Sequence, residues 1–159
     1  MEASAWPEDP AERIKEIVER VLDQLELEGV VEITEDEDVI TASVEGEEDY
    51  GLLIGRRGQT IDALQLLCFQ AAFQGKRDRK RVVLDAAGYR GRREELISER
   101  ADRAADKVVT TGNEVALDEM TARERRIVHE RLKERTEVDT YSTGDEPHRR
   151  VVVAPLISE

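Results

Sequence analysis

Two short constellations carry most of the chemistry open to this 159-residue chain. The first is Gly55–Arg56–Arg57–Gly58, held between Ile54 and Ile61. Glycine reaches backbone angles closed to other residues, and its missing Cβ lets a ligand approach the main chain. A turn of this kind feeding a helix offers free N–H groups to an anion, and two guanidiniums add attraction for phosphate. Together these parts describe a site for a sugar-phosphate backbone. The second constellation is Arg125 and His129. Four residues apart on a helix, they project from one face, about 40° from each other. An arginine fork grips phosphate, and a histidine beside it can donate to phosphate or stack on a base. An arginine and a histidine on a helix edge are also ordinary, and Lys133 continues the same edge.

Elements must place these residues. Asp9 before Pro10, with Glu12 three positions after the cap, starts a helix. Ile14, Ile17, Val18, Val21, Leu22 and Leu25 form its apolar stripe, and Gly29 is expected to end it. Residues 30–33 and 39–44 read as strands around an acidic turn at 35–38. After Leu52–Leu53–Ile54 and the glycine turn comes a second stripe: Ile61, Leu64, Leu67, Cys68, Ala71 and Ala72. Gly75 stops it, and Arg79–Lys80–Arg81 leads into a strand at 82–84. Residues 90–111 read as a charged helix with a seam of Leu96, Ile97, Ala101, Ala104, Ala105 and Val108. A short strand is expected at 115–117. Thr121 and Glu124 have the spacing of a capping box opening a helix to about Arg135. Strands at 138–141 and 149–153 close the chain. The expected fold class is α+β in two small units: a tail over 1–9, then 10–88 and 92–157.

Charge is segregated. Residues 1–49 hold 18 acidic and 3 basic side chains, while Gly55–Arg93 holds ten basic and three acidic ones. The net charge of −13 therefore conceals a local +7 around the glycine turn. This pattern predicts an acidic N-terminal element beside a basic working surface, although acids on solvated faces also occur as general surface adaptation.

Several classes are disfavoured. No apolar run approaches the ~18–20 residues of a membrane helix, and no signal-type segment opens the chain. One cysteine, Cys68, leaves no intramolecular disulfide and fits a reducing cytosol. Two histidines leave little for a metal centre, and no cofactor or metal site is expected. Phosphate-loop lysine, His-Glu-x-x-His and nucleophile-elbow motifs are absent, so no enzyme is expected.

Ile54–Gly55…Gly58…Ile61 fills the Ile-Gly-x-x-Gly-x-x-Ile pattern and resembles the KH domain. The order helix, strand, strand, helix, helix, strand resembles its bacterial, type II form. That resemblance implies a loop that clamps about four nucleotides of single-stranded RNA, with Arg56 and Arg57 on phosphate and Ile54, Ile61 and Val82 shaping a groove for bases. Lys80 and Arg81 would line the groove edge, unless they only balance nearby acids. Residues 124–129 and 140–155 resemble the single-stranded nucleic-acid domain named for its Arg-x-x-x-His motif, here called R-three-H. Its signature pair falls on Arg125 and His129, with Arg149 and Arg150 as further phosphate contacts or as plain surface. The pair of domains resembles the bacterial Jag family, also called KhpB, over about residues 10–157. The resemblance implies a cytoplasmic RNA-binding regulator of cell elongation or envelope growth. The implied ligand is single-stranded RNA, or single-stranded DNA. The implied partner is a small single-KH protein or a second copy, with no direct membrane insertion. Rival readings are a protein-interaction or dimerisation module, a ribosome-assembly or translation factor and, more distantly, a nuclease.

Overall fold

The computed structural model describes residues 5–156. The first four residues of the expected tail, and residue 157, lie outside them. The chain divides into two compact units, Met1–Arg90 and Gly91–Glu159.

In the first unit, helix α1 (Pro10–Gln24) starts as its cap dictates: the Asp9 carboxylate accepts the Glu12 N–H at 2.9 Å. Its buried face is Ala11, Ile14, Val18 and Leu22. It ends five residues before Gly29. The reversal falls on Glu26 (φ 55°), where the N–H groups of Glu26 and Leu27 close on the carbonyls of Asp23 and Leu22. Those two main-chain bonds hold a non-glycine residue in the left-handed region, so the glycine marker misplaces the end. Part of the expected tail is anchored. The Pro7 carbonyl accepts from Arg13 Nε at 2.6 Å, the Glu8 carbonyl accepts from Lys76 Nζ at 2.9 Å, and Arg20 lies over the Trp6 ring at 4.3 Å.

Strands β1 (Val30–Glu35), β2 (Val39–Glu45) and β3 (Arg81–Ala86) form a sheet in that order. β1 and β2 are antiparallel across a turn closed by Asp36, whose carboxylate accepts from the Asp38 and Val39 N–H groups. Those two bonds hold the Asp36 carboxyl below its ordinary pKa. β2 and β3 are parallel, which demands a crossover. The crossover is α2 (Gly51–Ile54), a single tight turn at Arg56–Gly58, and α3 (Gln59–Phe73). Alternation puts Ile40, Ala42 and Val44 of β2, and Val82, Leu84 and Ala86 of β3, on the core face in matched register. There they pack with α1 and with Ile61, Leu64, Cys68, Ala72 and Phe73 of α3. Leu67 departs from its expected place and is 63% exposed.

The second unit consists of α4 (Tyr89–Thr111, whose first two residues belong to the first unit), β4 (Val115–Ala116), α5 (Ala122–Leu132), β5 (Val138–Thr143) and β6 (Arg150–Pro155). The sheet order is β4-β6-β5, antiparallel throughout. The α4 seam is Ile97, Ala101, Ala104, Ala105 and Val108. Leu96, expected in that seam, is on the exposed side. The capping box at Thr121 forms as read: Glu124 N–H donates to Thr121 Oγ1 and Thr121 N–H to Glu124 Oε2. α5 stops at Leu132, three residues short of Arg135. The α+β class and the element order are those expected.

Cys68 is wholly buried, and burial pushes its thiol up to about 11 from an ordinary value near 9. The folded state therefore favours the protonated thiol. Its contribution to stability is complete below pH 9 and is lost as pH rises toward 11. A thiol reagent at pH 8 should label the native chain only as fast as it unfolds. The share of alkaline destabilisation due to Cys68 should disappear in Cys68→Ala, read as unfolding midpoints at pH 8 and 10.5.

Candidate nucleic-acid interface

The glycine turn is built by its backbone. α2 ends as the Gly55 N–H reaches the Gly51 carbonyl at 2.8 Å, and the Gly58 N–H closes on the Gly55 carbonyl at 3.2 Å. Gly55, Arg57 and Gly58 all have positive φ, at 73°, 55° and 77°. Both glycines are also sterically required. A Cβ on Gly55 would lie 2.8 Å from the Thr60 nitrogen, and one on Gly58 would lie 2.9 Å from the Tyr89 ring. Leu53 and Ile61, each 0% exposed, pin the turn from either side. No side chain caps the N-terminus of α3. Arg56 is exposed, and its side chain makes no hydrogen bond or ion pair with the described residues.

Of the remaining residues read as this site, Ile54 is half-buried beside the turn, while Ile61 and Val82 are core. Ile61 therefore supports the turn from beneath, and neither buried residue presents an apolar wall to a base. The exposed apolar residue on α2 is Leu52, 69% exposed. Lys80 and Arg81 are not brought to the turn. Gly58 meets Tyr89, just beyond the end of β3, whereas Lys80 and Arg81 stand at its beginning. A six-residue strand spans about 20 Å. Lys80 donates to Glu35 Oε1 at 2.8 Å and to the Asp36 carbonyl, so it serves the hairpin turn.

In the second unit, the β5–β6 hairpin gathers most of the residues read there. His129 is half-buried, with Nδ1 2.7 Å from Thr140 Oγ1 and Nε2 3.1 Å from Ser142 Oγ. Thr140 and Ser142 alternate on one face of β5, a period-two signal legible in the sequence but not read there. Arg149 donates to the Gly144 carbonyl, and Arg150 approaches Glu119 at 3.4 Å. Arg125 is 8% exposed and donates to the Met120 carbonyl at 2.9 Å and to Glu146 Oε1 at 2.6 Å. Behind α5, Glu124 also accepts from Arg93 Nε at 2.8 Å, a largely buried pair.

Comparison with known proteins adds descent to this geometry. A model of the KH domain of KhpA/KhpB matches residues 11–85, and one of the R-three-H domain matches residues 95–155. The RNA-binding protein KhpB of Bacillus subtilis is 31% identical over 148 residues, covering 92% of this chain and 71% of that protein. The chain belongs to the KhpB family. The KhpB of Clostridium symbiosum is 38% identical over 141 residues, 87% of this chain and 63% of the relative. That of Lactiplantibacillus plantarum is 42% identical over 104 residues, 65% of this chain and 32% of the relative. The chain thus spans under two thirds of the length of both. Gly55–Gly58 lies within the KH match, and Arg125 and His129 lie within the R-three-H match. Among the described residues, no three His, Cys, Asp or Glu side chains are placed to hold a metal, and no helix is long and apolar enough to cross a membrane.

Because the glycine turn is sterically closed, Gly58→Ala should cost about 1–2 kcal/mol for its left-handed backbone alone, with the Tyr89 contact adding to this. Thermal and urea unfolding will measure it. A change under about 0.5 kcal/mol, the range of an ordinary surface substitution, would contradict the packing described here.

Proposed function

We propose that the chain binds single-stranded RNA through the glycine turn of its KH unit, with α5 and the β5–β6 hairpin of the R-three-H unit as a second contact. The observation that carries this reading is the turn itself: an uncapped helix N-terminus entered by a strained Gly-Arg-Arg-Gly segment with Arg56 open to solvent. Backbone N–H groups and a guanidinium then meet a phosphodiester together. The names of the relatives, RNA-binding protein KhpB, support the choice of RNA. Single-stranded DNA is the second ligand by the same chemistry. Neither domain family is enzymatic, so the product of the interaction is a bound strand and not a cleaved one. Two modest sites on one chain gain avidity when one strand spans both.

The physiological reading is post-transcriptional control of cell elongation or envelope growth in the cytoplasm. A second reading, protein docking on the KH unit by a small single-KH protein or a second copy, is favoured by three exposed leucines: Leu52, Leu66 and Leu67, at 69, 58 and 63%. The two readings are compatible, since Arg56 and the leucines are different side chains.

Arg56→Glu tests the RNA reading without touching the packed glycines. The melting temperature should stay the same while affinity for a single-stranded RNA oligomer falls roughly tenfold or more at moderate salt. Fluorescence anisotropy will read it, and an unchanged affinity would count against the loop as the contact.

A further inference from the structure

In the second unit, the signature arginine does not face the solvent. The Arg125 side chain is 10% exposed, and its guanidinium is divided between the Met120 carbonyl and the Glu146 carboxylate. A phosphate would have to displace Glu146 from a short, charge-assisted bond to reach it. The neighbouring arginines on α5 are placed differently. Arg123 and Arg126 are exposed and make no hydrogen bond or ion pair with the described residues. At about 100° per residue, Arg126 lies about 60° around the helix from His129, and Arg123 about 60° further in the same direction. Lys133 and Glu130, one turn on, fall on the same arc, and Glu130 is held there by Lys133.

Arg126 and Arg123, but not His129, line a groove of about 650 Å³ between α4 and α5, floored in part by Ile127 and Ser98. Its other charges are largely committed. Arg131 holds Asp102 with bonds of 2.7 to 3.2 Å, and Glu130 accepts from Lys133 at 2.8 Å. The bond from Lys133 is the main cause of the lowered pKa of Glu130; Arg126 contributes only the smallest of the effects on it. Glu94 is the remaining carboxylate of the groove and bounds the cationic stretch on the α4 side. The two unpaired guanidiniums are thus the part of the groove open to an anion.

We propose that Arg123 and Arg126 make the backbone-phosphate contacts of the second unit, and that Arg125 is a positioning residue that ties the β5–β6 hairpin to α5 beneath His129. The ligand class is the phosphodiester backbone of a single strand, so the inference rests on the RNA reading above. It moves the charge that meets RNA away from the signature arginine and onto its neighbours.

The experiment uses the full chain and a 20-nucleotide oligouridylate, with anisotropy at several salt concentrations. Each phosphate contact on a single strand contributes about 0.7 to the log–log salt slope. Arg123→Ala with Arg126→Ala should lower the slope by about 1.4 and weaken binding at least tenfold at 100 mM salt, with unfolding unchanged. Arg125→Ala should lower the melting temperature and weaken binding while leaving the slope as it was. Lys107→Ala, which removes an exposed cation of α4 outside the groove, should change neither affinity nor slope. The proposal is overturned if the double variant keeps the parent slope, if Arg125→Ala lowers the slope by about 0.7, or if Lys107→Ala matches the loss per charge. In these three cases binding by the parent chain persists and the RNA reading stands. If the parent chain fails to bind the oligomer, both fall together.

Discussion

The backbone of the first unit depends on one tight reversal. Between Ile54 and Gln59 the chain must leave one helix and enter another inside the crossover that makes β2 and β3 parallel. It does so with three residues at positive φ, one of them an arginine. A left-handed non-glycine residue costs about 1–2 kcal/mol. The wholly buried Leu53 and Ile61 on either side hold the strain in place. The functional consequence follows from that geometry. Only small residues fit where the turn meets Thr60 and Tyr89, so the long side chain of Arg56 is left outside.

The second principle is that unpaired cations, and not net charge, decide where an anion can bind. Many arginines of the second unit are spent on carboxylates: Arg93 on Glu124, Arg100 on Asp118, Arg131 on Asp102 and Arg135 on Asp106. These pairs lace α4 to neighbouring segments, and where they are exposed each contributes little stability. They also remove their guanidiniums from competition for phosphate.

Much of this was legible in the sequence where the physics is local. The Asp9 and Thr121 caps, the strand alternation and the glycine turn each depend on residues within a few positions of one another. Non-local contacts were not legible. α3 is apolar on several faces, so periodicity alone did not separate inward Cys68 from outward Leu67. Val82 looks like a groove residue until its parallel register with Ile40 puts it in the core, and Ile61 does until α3 packs into the same cluster. Arg125 looks open until Glu146, 21 positions later, folds back onto it. Tyr89 has no sequence signal as the partner of Gly58, because the contact exists only once β3 has returned beside α3.

The proposed function stands or falls with RNA contact at the Gly55–Gly58 turn. Titration of the isotope-labelled chain with a short single-stranded RNA, followed by amide chemical shifts in solution, tests it most directly. The largest shifts should fall on Gly55 to Ile61 and on α5 around Arg123 to His129. Shifts confined to the Leu66–Leu67 face of α3 or to the acidic β1–β2 hairpin, with the turn unmoved, would contradict it.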